Sequence, residues 1–192
     1  MQREAKGIFF ARQNPRAHII TTAVEHPAIV EPCRFLELLG AKITWLPVDV
    51  TGRVNANDLR QAMTEDTILI SIMHANNEVG TIQPIEEIAE VTRRRGVLFH
   101  TYATQSVGKI PVDVEQLQVD LMSFSAHKIH GPKGVGALYV RRRNPSVRLE
   151  PLIDGDDRDV AELLEMIQQH QRWTGSTVAQ HLLQQWPQVL GE

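Results

Sequence analysis

The sequence of 192 residues contains one cysteine, Cys33, so no intrachain disulfide can form and a reducing compartment is expected. No apolar run approaches the roughly 18 residues that a membrane-spanning helix needs. The opening stretch MQREAKGIFFARQNPR lacks the apolar core and cleavage pattern of a secretory signal. Charge of one sign is also scarce: the formal net charge is -3 and the pI is near 6.2. Neither nucleic acid nor an anionic membrane is therefore expected as a partner. Together these absences predict a soluble cytoplasmic protein. The length suffices for one domain with a sizeable core, or a domain plus an appendage.

Two chemical signatures are missing as well. The turn Gly131-Pro132-Lys133-Gly134-Val135-Gly136 does not have the spacing of a P-loop, and it does not open a helix as a dinucleotide fingerprint would. His127 and His130 are three apart, but no cysteine or carboxylate cluster accompanies them, so no metal site is expected. The basic triplets Arg93–Arg95 and Arg141–Arg143 read as solvated faces.

What is present is an alternation of two patterns. Apolar, β-branched runs at His18–Thr22, Lys42–Pro47, Thr67–His74, Val97–His100, Val119–Phe124 and Gly136–Val140 predict strands. Between them, Ala28–Leu39, Asn57–Met63, Ile85–Arg95 and Asp113–Leu117 predict helices, with Gly40 and Gly96 as C-terminal stops. The order predicts an α/β fold, a mostly parallel sheet flanked by helices on both faces. In such sheets ligands gather at the carboxyl ends of the strands.

Those ends carry the chemically capable residues. Thr22, Glu25 and His26 follow the first run; His74, Asn76, Asn77 and Glu78 follow the third. His100, Tyr102 and Gln105 follow the fourth, and Ser125, His127 and Lys128 the fifth. A lysine fixed between two strands suits covalent carbonyl chemistry. Ordinary roles stay open for the rest: His26 as a capping residue, Asn77 as a turn asparagine before a glycine, Gln105 at a solvated helix start, and Ser125 and His127 as loop polarity.

The segment SFSAHKIHGPKGVGALYVR, Ser123 to Arg141, strongly resembles the lysine region of the cysteine desulfurases, a class V aminotransferase-like branch of the fold-type I pyridoxal-phosphate enzymes. The resemblance runs from about His18 to about Asp154. It implies that residues 1–155 are a segment of the fold-type I large domain and that pyridoxal 5'-phosphate is the cofactor. By the same resemblance Lys128 forms the Schiff base and acts as base. His26 stacks on the cofactor ring and shuttles protons, Asn77 and Gln105 bond or support the ring, and Ser125 and His127 donate to the phosphate. The implied activity removes sulfur from L-cysteine, leaving alanine and an enzyme persulfide for iron-sulfur or other sulfur transfer. A sulfur-acceptor or scaffold protein and a homodimer come with it. Two alternatives stand beside this reading. One is a selenocysteine lyase or another class V aminotransferase-like activity; the other is a truncated, catalytically impaired relative serving as a binding module or representing a gene fragment.

One position departs from the family. Where desulfurases have His-x-Asp-x-x-Gln, this chain reads His100-Thr101-Tyr102-Ala103-Thr104-Gln105. The family's aspartate keeps the cofactor's pyridine nitrogen protonated, and a tyrosine, neutral near pH 7, supplies no such charge. Full-length members also have an upstream glycine-rich phosphate turn and a downstream domain with an arginine and a sulfur-accepting cysteine. By that comparison the chain looks like the family's central slab, and Cys33, inside a predicted helix, reads as a small buried hydrophobe. Beyond Gly155 an acidic linker and two apolar stripes, Val160–Ile167 and Val178–Trp186, predict a helical appendage over 156–192. His170–Gln180 is weakly similar to the C-terminal end of the glutamate synthase large subunit.

Overall fold

A computed structural model describes residues 2–149 except 13, 15 and 145. The expected helical appendage and its boundary at residue 155 lie outside the described residues. Among the described residues six strands form: β1 (His18–Thr22), β2 (Lys42–Leu46), β3 (Thr67–Met73), β4 (Leu98–Tyr102), β5 (Leu121–Ser125) and β6 (Gly136–Val140). They make one sheet in the order β2-β1-β3-β4-β5-β6. The first five are parallel and β6 runs antiparallel to β5. The α/β reading is thus borne out, with strand ends within a few residues of those expected.

The sheet is covered on both faces, and the two-residue period of its strands sorts the core. Ile20, Ile70, Ile72, Phe99, Met122 and Phe124 pack with Leu59 of helix α3 (Ala56–Ala62) and with Ile85 and Ile88 of helix α4 (Ile85–Arg95). Ile19, Leu69, Leu98 and Leu121 point the other way, onto Ala5 and Ile8 of helix α1 (Gln2–Arg12) and Leu36 of helix α2 (Pro27–Leu38). The central strand β3, TILISIM, is buried at every position, as a parallel strand covered on both faces must be.

Local chemistry fixes the helix ends. In α4 the acidic Glu86 and Glu87 lie in the first turn and Arg93–Arg95 in the last, each opposite in sign to the helix dipole end it faces. Gly96 closes the helix at φ 66, the left-handed geometry that glycine adopts without strain. Helix α1 has no counterpart among the sequence expectations. Its glycine-containing pattern is weak, and docking of Ala5 and Ile8 onto the sheet holds it.

Two expectations are corrected. Asp113–Leu117 forms turns, not a helix: the Asp113 carboxylate accepts from the amides of Glu115 (2.8 Å) and Gln116 (3.1 Å), and Gln118 at φ 54 stops propagation after one turn. Arg141 is not on a solvated face, whereas Arg93–Arg95, Arg142 and Arg143 are exposed. Only 7% of Arg141 is accessible. Its guanidinium donates to the Val119 carbonyl at 3.2 and 2.9 Å and lies 3.4 Å from Asp120 and 3.3 Å from Glu115. It saturates a buried carbonyl where the chain enters β5.

Helix α1 gives a direct check on this packing. Ile8 is 1% exposed and Phe10 39%. Ile8→Ala should lower unfolding free energy by about 2–4 kcal/mol in a urea titration, whereas Phe10→Ala should change it by less than about 0.5 kcal/mol.

Candidate functional site

Sheet order decides which strand ends meet. Strands β1, β3, β4 and β5 are consecutive neighbours and parallel, so the four polar groups predicted at their carboxyl ends share one edge of the sheet. The lysine loop leaves β5 through a short 3-10 turn, Ala126–Ile129, and returns as β6. Two glycines let this loop close tightly. A Cβ on Gly136 would lie 2.9 Å from the Phe124 carbonyl oxygen, and one on Gly131 would lie 2.8 Å from the Ala126 Cβ. Any side chain there would push the lysine turn off the strand end.

Lys128 and His127 are exposed on that turn, and Ser125 is half-buried at its start. Among the described residues, the side chains of Lys128, His127 and Asn77 make no hydrogen bond or ion pair. Ser125 is placed through its backbone, its N–H donating to Thr104 Oγ1 at 3.0 Å. Gln105 sits in the turns after β4, where its side-chain oxygen accepts from Lys109 Nζ at 3.1 Å.

His26 is the N-cap of α2. Its Nδ1 accepts from the Ala28 amide at 3.1 Å, which leaves Nε2 to carry the proton of the neutral ring. The ring lies 5.4 Å from that of Tyr102, tilted by 37°. Tyr102 is 3% exposed and packs with Ile29, Cys33 and Met73. Burial pushes its phenol up from the usual value, so it is neutral at pH 7. His26 and Tyr102 are therefore in contact, while Asn77, Gln105, His127 and Lys128 lie on the segments that leave the neighbouring strands β3, β4 and β5.

Sequence reasoning placed Glu25 and Asn76 at strand ends without giving them roles. The Glu25 carboxyl is buried; its Oε1 accepts from Thr22 Oγ1 (3.0 Å) and from the Met73 amide (2.8 Å), and its Oε2 has no partner among the described residues. Desolvation pushes the acid up to about 8, against the pull of those two hydrogen bonds. Asn76 donates through Nδ2 to the Val24 carbonyl at 2.9 Å and accepts through Oδ1 from the amides of Glu78 (2.7 Å) and Val79 (3.0 Å). Only an acid at a strand end beside a histidine hinted at this in the sequence. His74, also buried at the end of β3, has an unpartnered Nδ1, and burial lowers its basicity.

Cys33 is fully buried in this layer, and desolvation, with smaller contributions from Glu25 and Glu37, pushes its thiol up to about 12. It remains a thiol, as a small hydrophobe should. A polar row lies deeper on the same sheet face, where the buried His100 bonds Ser71 Oγ through Nδ1 and Ser123 Oγ through Nε2, both at 2.9 Å. Among the described residues no group of histidines, cysteines and carboxylates could hold a metal, and no helix is long and apolar enough to cross a membrane.

Comparison with known proteins bears on this edge. Residues 5–176 match the family described as aminotransferase class-V. The chain is 54% identical over 154 residues to cysteine desulfurase IscS of Dictyoglomus turgidum, covering 80% of this chain and 38% of that protein. It is 50% identical over 150 residues to cysteine desulfurase IscS of Methanosarcina thermophila, covering 78% of this chain and 36% of that one. The chain thus spans under two fifths of the length of these curated relatives. Among solved structures, one titled SspA in complex with cysteine aligns with a TM-score of 0.75 at 41% identity, over 81% of this chain and 44% of that one. A NifS-like protein aligns with a TM-score of 0.76 at 42% identity, over 83% and 43% of the two chains.

The buried acid makes stability depend on pH in a defined direction. Glu25 keeps its proton in the folded chain up to about 8, while the unfolded carboxyl titrates near 4.5. Between those values the folded state binds the extra proton, so stability is full below pH 4.5 and falls as pH rises toward 8. Glu25→Gln, which cannot ionise, should gain on the parent by roughly 3–5 kcal/mol between pH 4.5 and pH 9. Urea titrations of both proteins across that range would show it.

Proposed function

Because this chain belongs to the class-V aminotransferase family, we propose that it is the cofactor-binding core of a cysteine desulfurase, which takes sulfur from L-cysteine, leaves alanine and uses pyridoxal 5'-phosphate. The observation that carries this reading is the position of Lys128. Its amine, which has no partner among the described residues, sits one short turn past β5, on the sheet edge that also presents His26, Asn77, Gln105, Ser125 and His127.

The donor set supports such a cofactor. Ser125 and His127 offer a hydroxyl and a ring N–H to a phosphate, and His26 offers a flat ring already oriented by its cap. Asn77 has an amide without a partner among the described residues, and Gln105 lies on the segment that leaves β4 at the same edge. When bound, the cofactor supplies an electron-withdrawing ring that eases bond breaking at the substrate's α-carbon. Lys128 would hold the group through its amine, and the same amine would serve as the base toward the substrate. His26, protonated at Nε2, moves a proton beside the ring. Cys33 is not the sulfur-receiving thiol, since a buried group pushed to about 12 presents no thiolate. As part of the same proposal, the working protein is a cytoplasmic homodimer that passes sulfur to an acceptor or scaffold protein in iron-sulfur assembly.

Tyr102 does not fit one requirement. A neutral phenol stands where the family places an acid, so Tyr102 would supply no counter-charge to the ring nitrogen of a bound cofactor. Breaking a buried ionic pair costs about 3–5 kcal/mol, and if that fell wholly on proton removal from the α-carbon, turnover would drop roughly 10²- to 10⁴-fold. This residue favours a second reading, in which the chain binds cofactor yet turns over little.

Adding pyridoxal phosphate to the purified chain, fixing with borohydride and mapping the labelled peptide tests both readings. Label concentrated on Lys128 and lost in Lys128→Ala supports the cofactor site; label scattered over surface lysines refutes it. Tyr102→Asp should raise cysteine turnover by about 10²-fold or more if the missing charge is the limiting defect, and an unchanged rate would remove Tyr102 as the cause.

A further inference from the structure

The loops that carry His26 and Asn77 are fastened to each other by two cross-links. Glu25 Oε1 reaches from the β1–α2 loop to accept from the Met73 amide at the end of β3, at 2.8 Å. Asn76 Nδ2 reaches back from the β3–α4 loop to the Val24 carbonyl, at 2.9 Å. Each linking residue immediately precedes a candidate site residue. Each also braces its own loop, Glu25 through Thr22 Oγ1 and Asn76 through the amides of Glu78 and Val79.

We propose that Glu25 and Asn76 form a clasp that sets the spacing of His26 and Asn77, with Glu25 as a positioning residue for the cofactor site. For its link to a cofactor this rests on the reading above. Its geometric basis is independent of that reading. The Glu25 side chain is more than nine-tenths buried, bridges two neighbouring strand ends and leaves Oε2 unpartnered. A buried acceptor shared by two donors tolerates little displacement, because moving it would strand the Met73 amide away from water.

Charge state is part of the clasp. The titratable groups facing Glu25 are the Cys33 thiol from α2 and the Tyr102 phenol from β4, both neutral at pH 7. Among the described residues no cation pairs with it. A neutral carboxyl is held by its two donors and by packing. An ionised one, without a counter-ion, draws water into the layer under His26, so the clasp loosens as pH rises through about 8.

The test uses the full chain, with pyridoxal phosphate as probe and amide hydrogen exchange as a second readout. At pH 7, Glu25→Ala should weaken pyridoxal phosphate binding by about tenfold or more, and Glu25→Gln, which keeps the Oε1 acceptor, should stay within about threefold. From pH 7 to pH 9 the parent should lose about tenfold in affinity relative to Glu25→Gln. In the cofactor-free chain, Glu25→Ala should speed exchange at residues 73–80 as well as 23–28. Asn76→Asp, which keeps the turn acceptor and loses the donor to Val24, should act in the same direction. Affinity unchanged in Glu25→Ala, an identical pH profile in parent and Glu25→Gln, or exchange altered only at residues 23–28 would each overturn the clasp. If the parent itself takes no label at Lys128, the desulfurase reading fails, and the exchange measurements alone decide the clasp.

Discussion

Parallel strands cannot be joined by tight turns, and that constraint organises this chain. Every connection from β1 to β5 must leave one end of the sheet, cross a face and return to the other end. Each of the four inner strands therefore delivers its outgoing loop to the same edge. Because β1, β3, β4 and β5 are neighbours, residues as distant in sequence as His26 and Lys128 come to share that edge. The helices that make the crossovers also bury the sheet, so the residues that align the loops are the residues of the core.

Behind the edge lies a buried layer with almost no charge at pH 7. Glu25 holds its proton, Cys33 remains a thiol and Tyr102 remains a phenol, each because burial disfavours the ionised form. The strand ends are nonetheless polar: among the described residues, buried atoms of Thr21, Glu25 and His74 have no partner. Unsatisfied groups are rare in folded interiors, and three gathered near the strand ends set this region apart from the apolar core beneath α1 and between α3, α4 and the sheet. A charge introduced here would have to bring its own partner.

Much of this was legible in the sequence. The continuous run of β3, the alternation that sorts Ile19 from Ile20, and the acidic-to-basic polarity of α4 ending at Gly96 all express local physics. The position of Lys128 after an apolar run and before a glycine-rich turn was legible for the same reason. Other features depend on contacts between distant segments. Helix α1 exists because Ile8 finds Ile19 and Leu69, which its own pattern does not announce. Arg141 is buried because Val119, 22 residues earlier, leaves a carbonyl without a strand partner. The hydrogen bond from Met73 to Glu25 spans 48 positions, and no window of sequence contains both. Asp113 shows the converse, a residue whose own side chain competed with the helix that its neighbours suggested.

Strand β6 runs against β5, so the two form a hairpin whose closed end carries the lysine and whose open end pairs Leu121 with Val140. That open end is pinned: the buried Arg141, next after Val140, donates its N–H to the Asp120 carbonyl at 2.8 Å and its guanidinium to the Val119 carbonyl. Peeling from that side would have to break those bonds and then successive pairs, through Tyr139, Leu138 and Ala137, before reaching Gly136 beside Ser125. The lysine turn thus hangs from a hairpin that is locked at the end remote from the chemistry, so breathing of the sheet margin has no easy route to it.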